Sequence, residues 1–468
     1  MAVVAGLCAV TLAAGLTVAR LLPGRLSLWR LPGIESVRAA GPGQVLGPAS
    51  GSARPSTAAT SAGVAAALAP LLKPSVFGPN VGVLVTTVPT GKVLYSSNAG
   101  TGFAPASTNK LATSIAALQV LGPNDRLHTT VVAGHTPSSI VLVGGGDPTL
   151  AAGRPPATDY PLPATLLDLA RRTAQALHAR GRHSVTLGYD TSLYTGPALL
   201  PGWTGYVNTG NVSVITPLEV DQGRVTTGGQ PVDNEAGGGL RAADPAAVAA
   251  ASFARFLTAD GITVRGTPAL VTAPAGAVTL ASVQSPPLAA IIQWMLEESN
   301  NVIAENLARQ VAIATGHPAS FSGAAAAVTS VLRRLGVTGE LSLHDGSGLS
   351  PDDRIAPSVL VQLIRLAASR PQLRSVLTGL PVEGFSGTLG LGGSVFGLGP
   401  SAGLGVVRAK TGNLSTVAAL AGTAYAKNGE LFAFAIMADK IPTAPGALTG
   451  AATQMVDMAG ALAGCGCR

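Results

Sequence analysis

The chain has 468 residues, of which 47% are apolar and only 11% are charged. This length is typical of two or three domains, and a chain this apolar can bury large cores, which excludes an intrinsically disordered protein. The net charge is +7, but there is no run of basic residues and only 4% of residues are aromatic. We therefore do not expect the chain to bind nucleic acid.

The first element in chain order is an uncharged apolar run at residues 2–19. Its length fits a signal-peptide core or a short transmembrane helix, although its arginines follow the run instead of preceding it. A buried helix of the folded part is the alternative. We assign residues 1–22 to a signal or membrane-anchor segment. Residues 23–74 are rich in Gly, Ala, Ser and Pro and are predicted to form a flexible linker.

Hydrophobic periodicity predicts the elements that follow. Residues 81–88 and 92–95 indicate a hairpin, and a helix is expected to begin at Ser107. The middle of the chain, residues 124–285, has a different predicted pattern of elements, in which strands and helices are mixed. The strands are at 140–143 and 184–187 and the helices near 166–179 and 246–257. We predict a separate α/β module there.

Helices and then strands are predicted for the rest of the chain. The helices are at residues 288–298, 302–313 and 358–368, the strands at 406–410, 417–425 and 431–437, and a closing helix at 447–463. The pair Asn428-Gly429 between two apolar runs is a strong hairpin signal. Cys465 and Cys467 are too closely spaced for us to expect a mutual disulfide, and no histidine is near enough for a metal site.

Three short motifs contain serines and lysines suited to catalysis. They are an S-x-x-K motif at 107–110, an S-x-N motif at 299–301 and a K-T-G motif at 410–412. S-x-x-K and K-T-G each occur once, whereas S-x-N also occurs at 96–98 and 107–109. Only its place between the other two motifs, at a break between two predicted helices, selects Ser299.

Each motif has a chemical rationale. A serine hydroxyl is a poor nucleophile unless a base lies beside it, and residues i and i+3 share a helix face, so Lys110 should reach Ser107. Burial and the neighbouring charge of Lys410 favour the neutral, basic form of Lys110. Lys410 and Thr411 can bind a substrate carboxylate, and Gly412 is expected to let the substrate backbone approach closely.

Simpler interpretations exist for the same residues. Ser107 alone could be a helix N-cap and Lys410 alone a surface lysine, but their order and matching local structure favour a catalytic site. His344 and Asp345 could suggest a Ser-His-Asp triad. Adjacent side chains seldom align in that way, and the Asp-Gly-Ser-Gly string that begins at Asp345 is typical of a turn.

Taken together, the three motifs resemble those of the D-alanyl-D-alanine carboxypeptidase/endopeptidase family of class C low-molecular-mass penicillin-binding proteins. Further stretches that resemble this family lie at residues 105–111, 144–148, 201–203, 344–350 and 387–389. The resemblance covers about residues 75–460. It implies an α/β fold: a penicillin-binding-protein/β-lactamase-like transpeptidase domain, with an antiparallel sheet flanked by helices, interrupted by an inserted α/β module. Residues 75–123 and 286–464 would form the DD-peptidase domain and residues 124–285 the module. Because the motifs lie outside the module, we expect its removal to leave the chemistry largely in place.

The resemblance also implies a reaction and roles. The protein would be a serine DD-peptidase that hydrolyses D-alanyl-D-alanine bonds of peptidoglycan stem peptides, as a carboxypeptidase and also, in some members, an endopeptidase. Ser107 resembles the nucleophile, Lys110 its base and Ser299 the proton relay to the leaving amine. The substrate would be held by Asn301, Lys410, Thr411 and Gly412, and the backbone N–H groups of Ser107 and Asn413 would form the oxyanion hole. Asn413 stands where Thr or Ser is commoner.

The implied partners are stem peptides and β-lactam antibiotics, which would acylate the same serine. No metal or organic cofactor is implied, and the implied location is the extracytoplasmic side of the cell envelope, with the protein secreted or anchored through its N-terminal segment. Two alternatives remain open. A serine β-lactamase of class A type would need a carboxylate base after the S-x-N motif, for which Glu305 is a candidate inside a predicted helix. A non-catalytic envelope scaffold is the other, and the three intact motifs argue against it.

Overall fold

The structure is a computed structural model that describes residues 58–227, 230–231, 239–391, 395–397 and 402–467. The expected signal or anchor segment at 1–22, and the linker as far as residue 57, lie outside the described residues. Among the described helices, none is both long enough and apolar enough to cross a membrane.

A five-stranded sheet with every neighbouring pair antiparallel joins the two ends of the described chain. In spatial order its strands are β13 (Val407–Leu414), β14 (Val417–Tyr425), β15 (Leu431–Ala438), β1 (Val81–Thr87) and β2 (Val93–Ser97). The strand β13 is therefore one edge of the sheet. The strand predicted at residues 406–410 continues to Leu414, so the whole K-T-G motif lies inside β13. The Asn428-Gly429 hairpin between β14 and β15 is confirmed.

The strand period of two divides this sheet between two cores. In β14, Ala419 and Ala421 face one core, whereas Ala418 and Leu420 face the other. The first core is covered by helices α3 (Lys110–Val120), α7 (Leu288–Glu297), α8 (Asn301–Ala314), α9 (Phe321–Arg334), α10 (Pro357–Ser369) and α11 (Arg374–Thr378). The second is covered by α1 (Ser61–Leu68), α2 (Pro74–Phe77) and α12 (Ala447–Gly464).

A second, mixed sheet is built from strands that all lie within residues 124–285. Its order is β10 (Thr279–Gln284), β3 (His128–Ala133), β4 (Ser139–Val143), β5 (Ser184–Asp190) and β8 (Thr263–Val264), with β9 (Ala269–Leu270) also paired to β5. The long helices α4 (Leu166–His178) and α6 (Pro245–Ala259) pack on it around their own apolar core. Short elements complete the described chain: helix α5 (Thr204–Asn208) and strand pairs β6 (Thr226–Thr227) with β7 (Gln230–Pro231) and β11 (Leu341–Ser342) with β12 (Arg354–Ile355).

Two expectations from sequence are wrong at the chain ends. Residues 58–74 are not linker, because Thr60 caps α1 through its side chain and α1 buries Val64 and Leu68 completely in the second core. Cys465 and Cys467 do form a disulfide. The Cys467 carbonyl accepts a hydrogen bond from the Thr60 N–H at 2.8 Å, so the C-terminus also holds α1 in place. Low charge and many small residues made this helix resemble a linker.

Candidate active site

Ser107 lies on a tight turn in front of α3. The turn is a 3-10 helix, Ala106–Asn109, and the α-helix expected to begin at Ser107 begins at Lys110. Residues i and i+3 stack almost directly above one another in a 3-10 helix. Lys110 Nζ therefore lies 2.8 Å from Ser107 Oγ, although the lysine itself is completely buried.

The Lys110 amine has two further partners. It donates to Asn301 Oδ1 at 2.6 Å and to the Ser347 carbonyl at 2.8 Å. Burial lowers the pKa of Lys110 to about 7, against the opposing effects of the Asp345 and Glu305 carboxylates. An amine with such a pKa has a substantial neutral fraction near neutral pH, as a general base requires.

The S-x-N motif lies between α7 and α8. Ser299 is partly buried and has a left-handed backbone with φ 57°, which reverses the chain between the two helices. Its hydroxyl makes no hydrogen bond to the residues that the structure describes. Asn300 caps α8 by accepting the Ile303 N–H at 3.0 Å, so Asn301, the first residue of α8, points at Lys110.

The K-T-G motif lies on the edge strand β13. Lys410 is completely buried and donates to the Thr411 carbonyl at 2.9 Å. Burial and then the nearby charge of Lys110 lower the pKa of Lys410 well below its ordinary value. The Thr411 and Thr388 hydroxyl oxygens lie 2.7 Å apart, which places Thr388 at this site as well.

Gly412 has a structural role that the sequence did not suggest. A Cβ at this position would lie 2.7 Å from the Pro105 carbonyl and 3.0 Å from the Ser107 backbone nitrogen. These distances are shorter than ordinary van der Waals contact, so a side chain here would push β13 away from the serine turn. Gly412 lets the protein's own backbone approach, and not only that of a substrate.

The backbone N–H group of Asn413 points outward from the edge of the sheet. Ala409 turns its N–H off the outer edge of β13, where it donates to the Pro381 carbonyl at 3.0 Å. Alternate residues of a strand direct their N–H groups to the same side, so the Asn413 N–H also points away from β14. The Asn413 side chain is exposed. This is the orientation that an oxyanion-hole donor on an edge strand needs.

The loop after β11, which the sequence predicted only as a turn, lies against Lys110 at the base of the site. The Asp345 carboxylate accepts the Ser347 N–H at 3.0 Å, the Gly348 N–H at 2.6 Å and the Ser350 N–H at 2.6 Å. This network aims the Ser347 carbonyl at Lys110. His344 is half-exposed and its Nδ1 lies 3.5 Å from Asp353, not near a serine, in keeping with the rejection of a triad.

Glu305 is buried inside α8, and its carboxylate already has partners within the protein. Its carboxylate accepts the Gly346 N–H at 3.0 Å and lies 3.4 Å from Arg309 Nη1. Burial, and then the Asp345 charge, raises the pKa of the Glu305 carboxyl. Among the described residues, no group of three or more His, Cys, Asp or Glu side chains is arranged to hold a metal ion.

Two residues of the middle segment also contact the S-x-N motif. Asn301 Nδ2 donates to the Asn211 carbonyl at 2.9 Å, and Asn300 Nδ2 donates to Gln222 Oε1 at 2.8 Å. Residues 124–285 therefore contact the S-x-N motif directly. A backbone carbonyl has no residue signature, so sequence alone offered no signal for Asn211.

The site thus has a serine with a buried lysine beside it and an edge strand across from it. This arrangement is typical of acyl-transfer sites of the penicillin-binding-protein type. The chain belongs to the D-Ala-D-Ala carboxypeptidase 3 (S13) family, whose model matches residues 64–238 and 225–462. The family and the enzyme class predicted from sequence, a serine-type D-Ala-D-Ala carboxypeptidase, are confirmed.

Individual relatives agree with this assignment. The chain is 36% identical over 419 residues to carboxypeptidase DacB of Mycolicibacterium smegmatis, covering 87% of this chain and 85% of that protein. It is 31% identical to the D-alanyl-D-alanine carboxypeptidase of Actinomadura sp. (strain R39), covering 78% of each. The crystal structure of penicillin binding protein 4 (dacB) from Haemophilus influenzae superposes with a TM-score of 0.66 at 22% identity, covering 84% of this chain and 98% of that one. The fold class predicted from sequence is confirmed.

Proposed function

We propose that this protein hydrolyses D-alanyl-D-alanine bonds of peptidoglycan stem peptides through an acyl-enzyme on Ser107. The observation that carries the proposal is the position of Lys110, whose Nζ is 2.8 Å from the Ser107 hydroxyl and 2.6 Å from Asn301 Oδ1. One buried amine thus links the residue proposed to attack and the residue proposed to hold the substrate amide.

In the proposed reaction, neutral Lys110 takes the Ser107 proton while Oγ attacks the carbonyl carbon of the penultimate D-alanine. The Ser107 and Asn413 backbone N–H groups stabilise the oxyanion. When the C–N bond breaks, the proton that Lys110 took from Ser107 passes through the Ser299 hydroxyl to the leaving amine, so D-alanine departs and Lys110 is neutral again. Water then attacks the ester, with Lys110 as base, and restores Ser107.

Substrate recognition is proposed to rest on the K-T-G motif. The C-terminal carboxylate of the stem peptide would bind Lys410 and the Thr411 hydroxyl, and a carboxylate beside Lys410 would restore its charged form. Gly412 keeps this strand close to the serine. Such recognition fits a carboxypeptidase, and peptide cross-links that end in a D-amino acid with a free carboxylate would be cut in the same way.

β-Lactams are proposed to acylate Ser107 by the same attack, which opens the four-membered ring. The β-lactamase alternative is not favoured, because the Glu305 carboxylate is engaged by the Gly346 N–H and Arg309 and lies inside α8. Support for β-lactam binding comes from the similar Haemophilus influenzae protein, whose structure was also determined in complex with a novel β-lactam.

We further propose that residues 75–123 and 286–464, together with α1, form the DD-peptidase domain and that residues 124–285 form an inserted module. All strands of the second sheet lie within that module. Because peptidoglycan is the proposed substrate, we also propose that the enzyme acts at the extracytoplasmic face of the envelope, with residues 1–22 as its export signal or anchor. The test of the reaction is D-alanine release from a synthetic stem pentapeptide. Wild type should release it and Ser107→Ala should not; equal release by both proteins would overturn the proposal.

A further inference from the structure

Arg241 bridges two neighbouring segments of the middle part of the chain, one at residue 210 and the other at residue 222. Its Nη2 and Nε donate to the Gly210 carbonyl at 2.6 Å and 3.2 Å, and its Nη1 donates to the Gln222 carbonyl at 2.8 Å. A planar guanidinium that holds two carbonyls fixes their separation more tightly than a lysine ammonium would. Arg241 thus sets the distance between residue 210 and residue 222.

These two segments are the ones that contact the S-x-N motif. Asn211, next to Gly210, accepts from Asn301 Nδ2 at 2.9 Å through its carbonyl, and the Gln222 side chain accepts from Asn300 Nδ2 at 2.8 Å. One guanidinium therefore lies two contacts away from both asparagines of the motif.

The contact with Asn211 decides which way the Asn301 amide faces. An asparagine amide carries an acceptor on one side and donors on the other. With Nδ2 bound to the Asn211 carbonyl, Oδ1 faces Lys110 at 2.6 Å. The reversed amide would direct an N–H donor at the Lys110 amine, which would remove this acceptor and misplace the residue proposed to hold the substrate.

The backbone is strained on both sides of the hydrogen bond between Asn300 and Gln222. Gln222 has φ 60° and Asp221 φ 51°, and Ser299 has φ 57°, left-handed values that are uncommon for residues other than glycine. Such conformations are unfavourable for these residues and persist only where surrounding contacts impose them. Gln222 is only 2% exposed, and its hydrogen bonds with Arg241 and Asn300 stabilise its left-handed backbone conformation.

We propose that Arg241 is a positioning residue for acylation of Ser107, acting through Asn211 and Gln222 on the S-x-N motif. The inserted module is then part of the catalytic machinery and not only a neighbour that selects substrates. This inference rests on the proposed function, in which Asn301 holds the substrate amide. Arg241 stays cationic at neutral pH, because burial and the Arg224 charge, opposed by Glu219, lower its pKa only to about 10.

The test compares the acylation rate constants of variants with fluorescent penicillin. Arg241→Met keeps most of the side-chain volume without the donors, and we expect a loss of up to about 10²-fold, the effect of misplacing a reacting group by about 1 Å. The matched control is Arg172→Met in the same module, where an exposed arginine donates to the Ser282 carbonyl at 2.9 Å. The control should react at the wild-type rate.

A second variant guards against a failure of Arg241→Met to fold. Gln222→Gly favours the left-handed backbone, so it should fold, but it lacks the acceptor for Asn300. We expect it to be acylated more slowly than wild type while it still unfolds in one cooperative transition, which shows that it is folded. Acylation at the wild-type rate by Gln222→Gly contradicts the part of the inference that runs through Gln222 and Asn300, whatever the fate of Arg241→Met.

A double-mutant cycle separates positioning from a general loss of structure. If Arg241 acts through Asn301, then Arg241→Met should have little further effect in an Asn301→Ala background. If the fold-loss of the double variant equals the product of the two single fold-losses, the inference is overturned. It is also overturned if Arg241→Met reacts at the wild-type rate when Asn301→Ala alone is slow. A wild-type rate for Asn301→Ala would instead show that the proposed role of Asn301 is wrong.

Discussion

Lys110 Nζ lies 2.8 Å from Ser107 Oγ, within direct proton-transfer distance, at a point where burial lowers the pKa of Lys110 to about 7. The charged groups that act on this amine are Asp345 and Glu305, which raise its pKa, and it in turn lowers the pKa of Lys410. The base is the neutral amine. The protonation state of one buried lysine should therefore control the reaction.

The first prediction concerns pH. The rate constant for acylation should rise as the pH increases through about 7 and level off above it, because Lys110 is protonated and inactive on the acid side. Acylation by fluorescent penicillin, followed between about pH 5 and pH 9, measures this directly. A flat profile over that range, or a rate that is still rising steeply at pH 9 toward the ordinary lysine pKa of about 10.4, would contradict the assignment of Lys110 as base.

The second prediction separates the two buried lysines. Lys110→Ala should slow acylation by roughly 10²–10⁴-fold for every substrate, since a positioned base contributes about that much. Lys410→Ala should instead weaken binding as well as chemistry, and most strongly for substrates with a free terminal carboxylate.

The measurement uses a D-Ala-D-Ala peptide and its C-terminally amidated form, compared by kcat/KM. Wild type should prefer the free acid, Lys110→Ala should keep that preference at a much lower rate, and Lys410→Ala should largely lose it. Full discrimination by Lys410→Ala would show that this division between the lysines is wrong.

The third prediction concerns the close approach of β13 to the serine turn. Gly412→Ala should lower the acylation rate by up to about 10²-fold, because the new methyl group must move either β13 or the backbone of Ser107. Gly450→Ala is the matched control, since a Cβ on that helical glycine meets nothing within 4 Å. The control should keep full activity and gain about 0.5–1 kcal/mol in stability. Equal rates for the two variants would remove the role given to Gly412.

Sequence predicted the parts of this site that are side chains in recognisable motifs. Ser107, Lys110 and Asn301 could be found because S-x-x-K and K-T-G are rare in the chain and fix where S-x-N must lie. The Ser347 and Asn211 carbonyls could not be found, because any residue has a carbonyl and only the folded chain brings them to Lys110 and Asn301. The reason for Gly412 was also hidden, since it depends on a neighbour about three hundred residues away in sequence.

The fourth prediction follows from the helix that sequence assigned to the linker. A chain that begins at Ala58 should fold and react like the full chain. A chain that begins at Lys73 lacks α1 and should lose at least about 2 kcal/mol of stability, since emptying even one buried leucine site costs that much. Thermal unfolding of the two truncated proteins tests this. Equal melting temperatures would mean that Val64 and Leu68 contribute nothing to the second core.

The fifth prediction addresses the central claim most directly, and it is the site of covalent attachment. Purified protein is incubated with fluorescent penicillin, digested and analysed by mass spectrometry, with Ser107→Ala treated in parallel. The account predicts one penicilloyl group, on Ser107, and no labelling of the variant. A penicilloyl group on another residue, or labelling that persists in Ser107→Ala, would contradict the account.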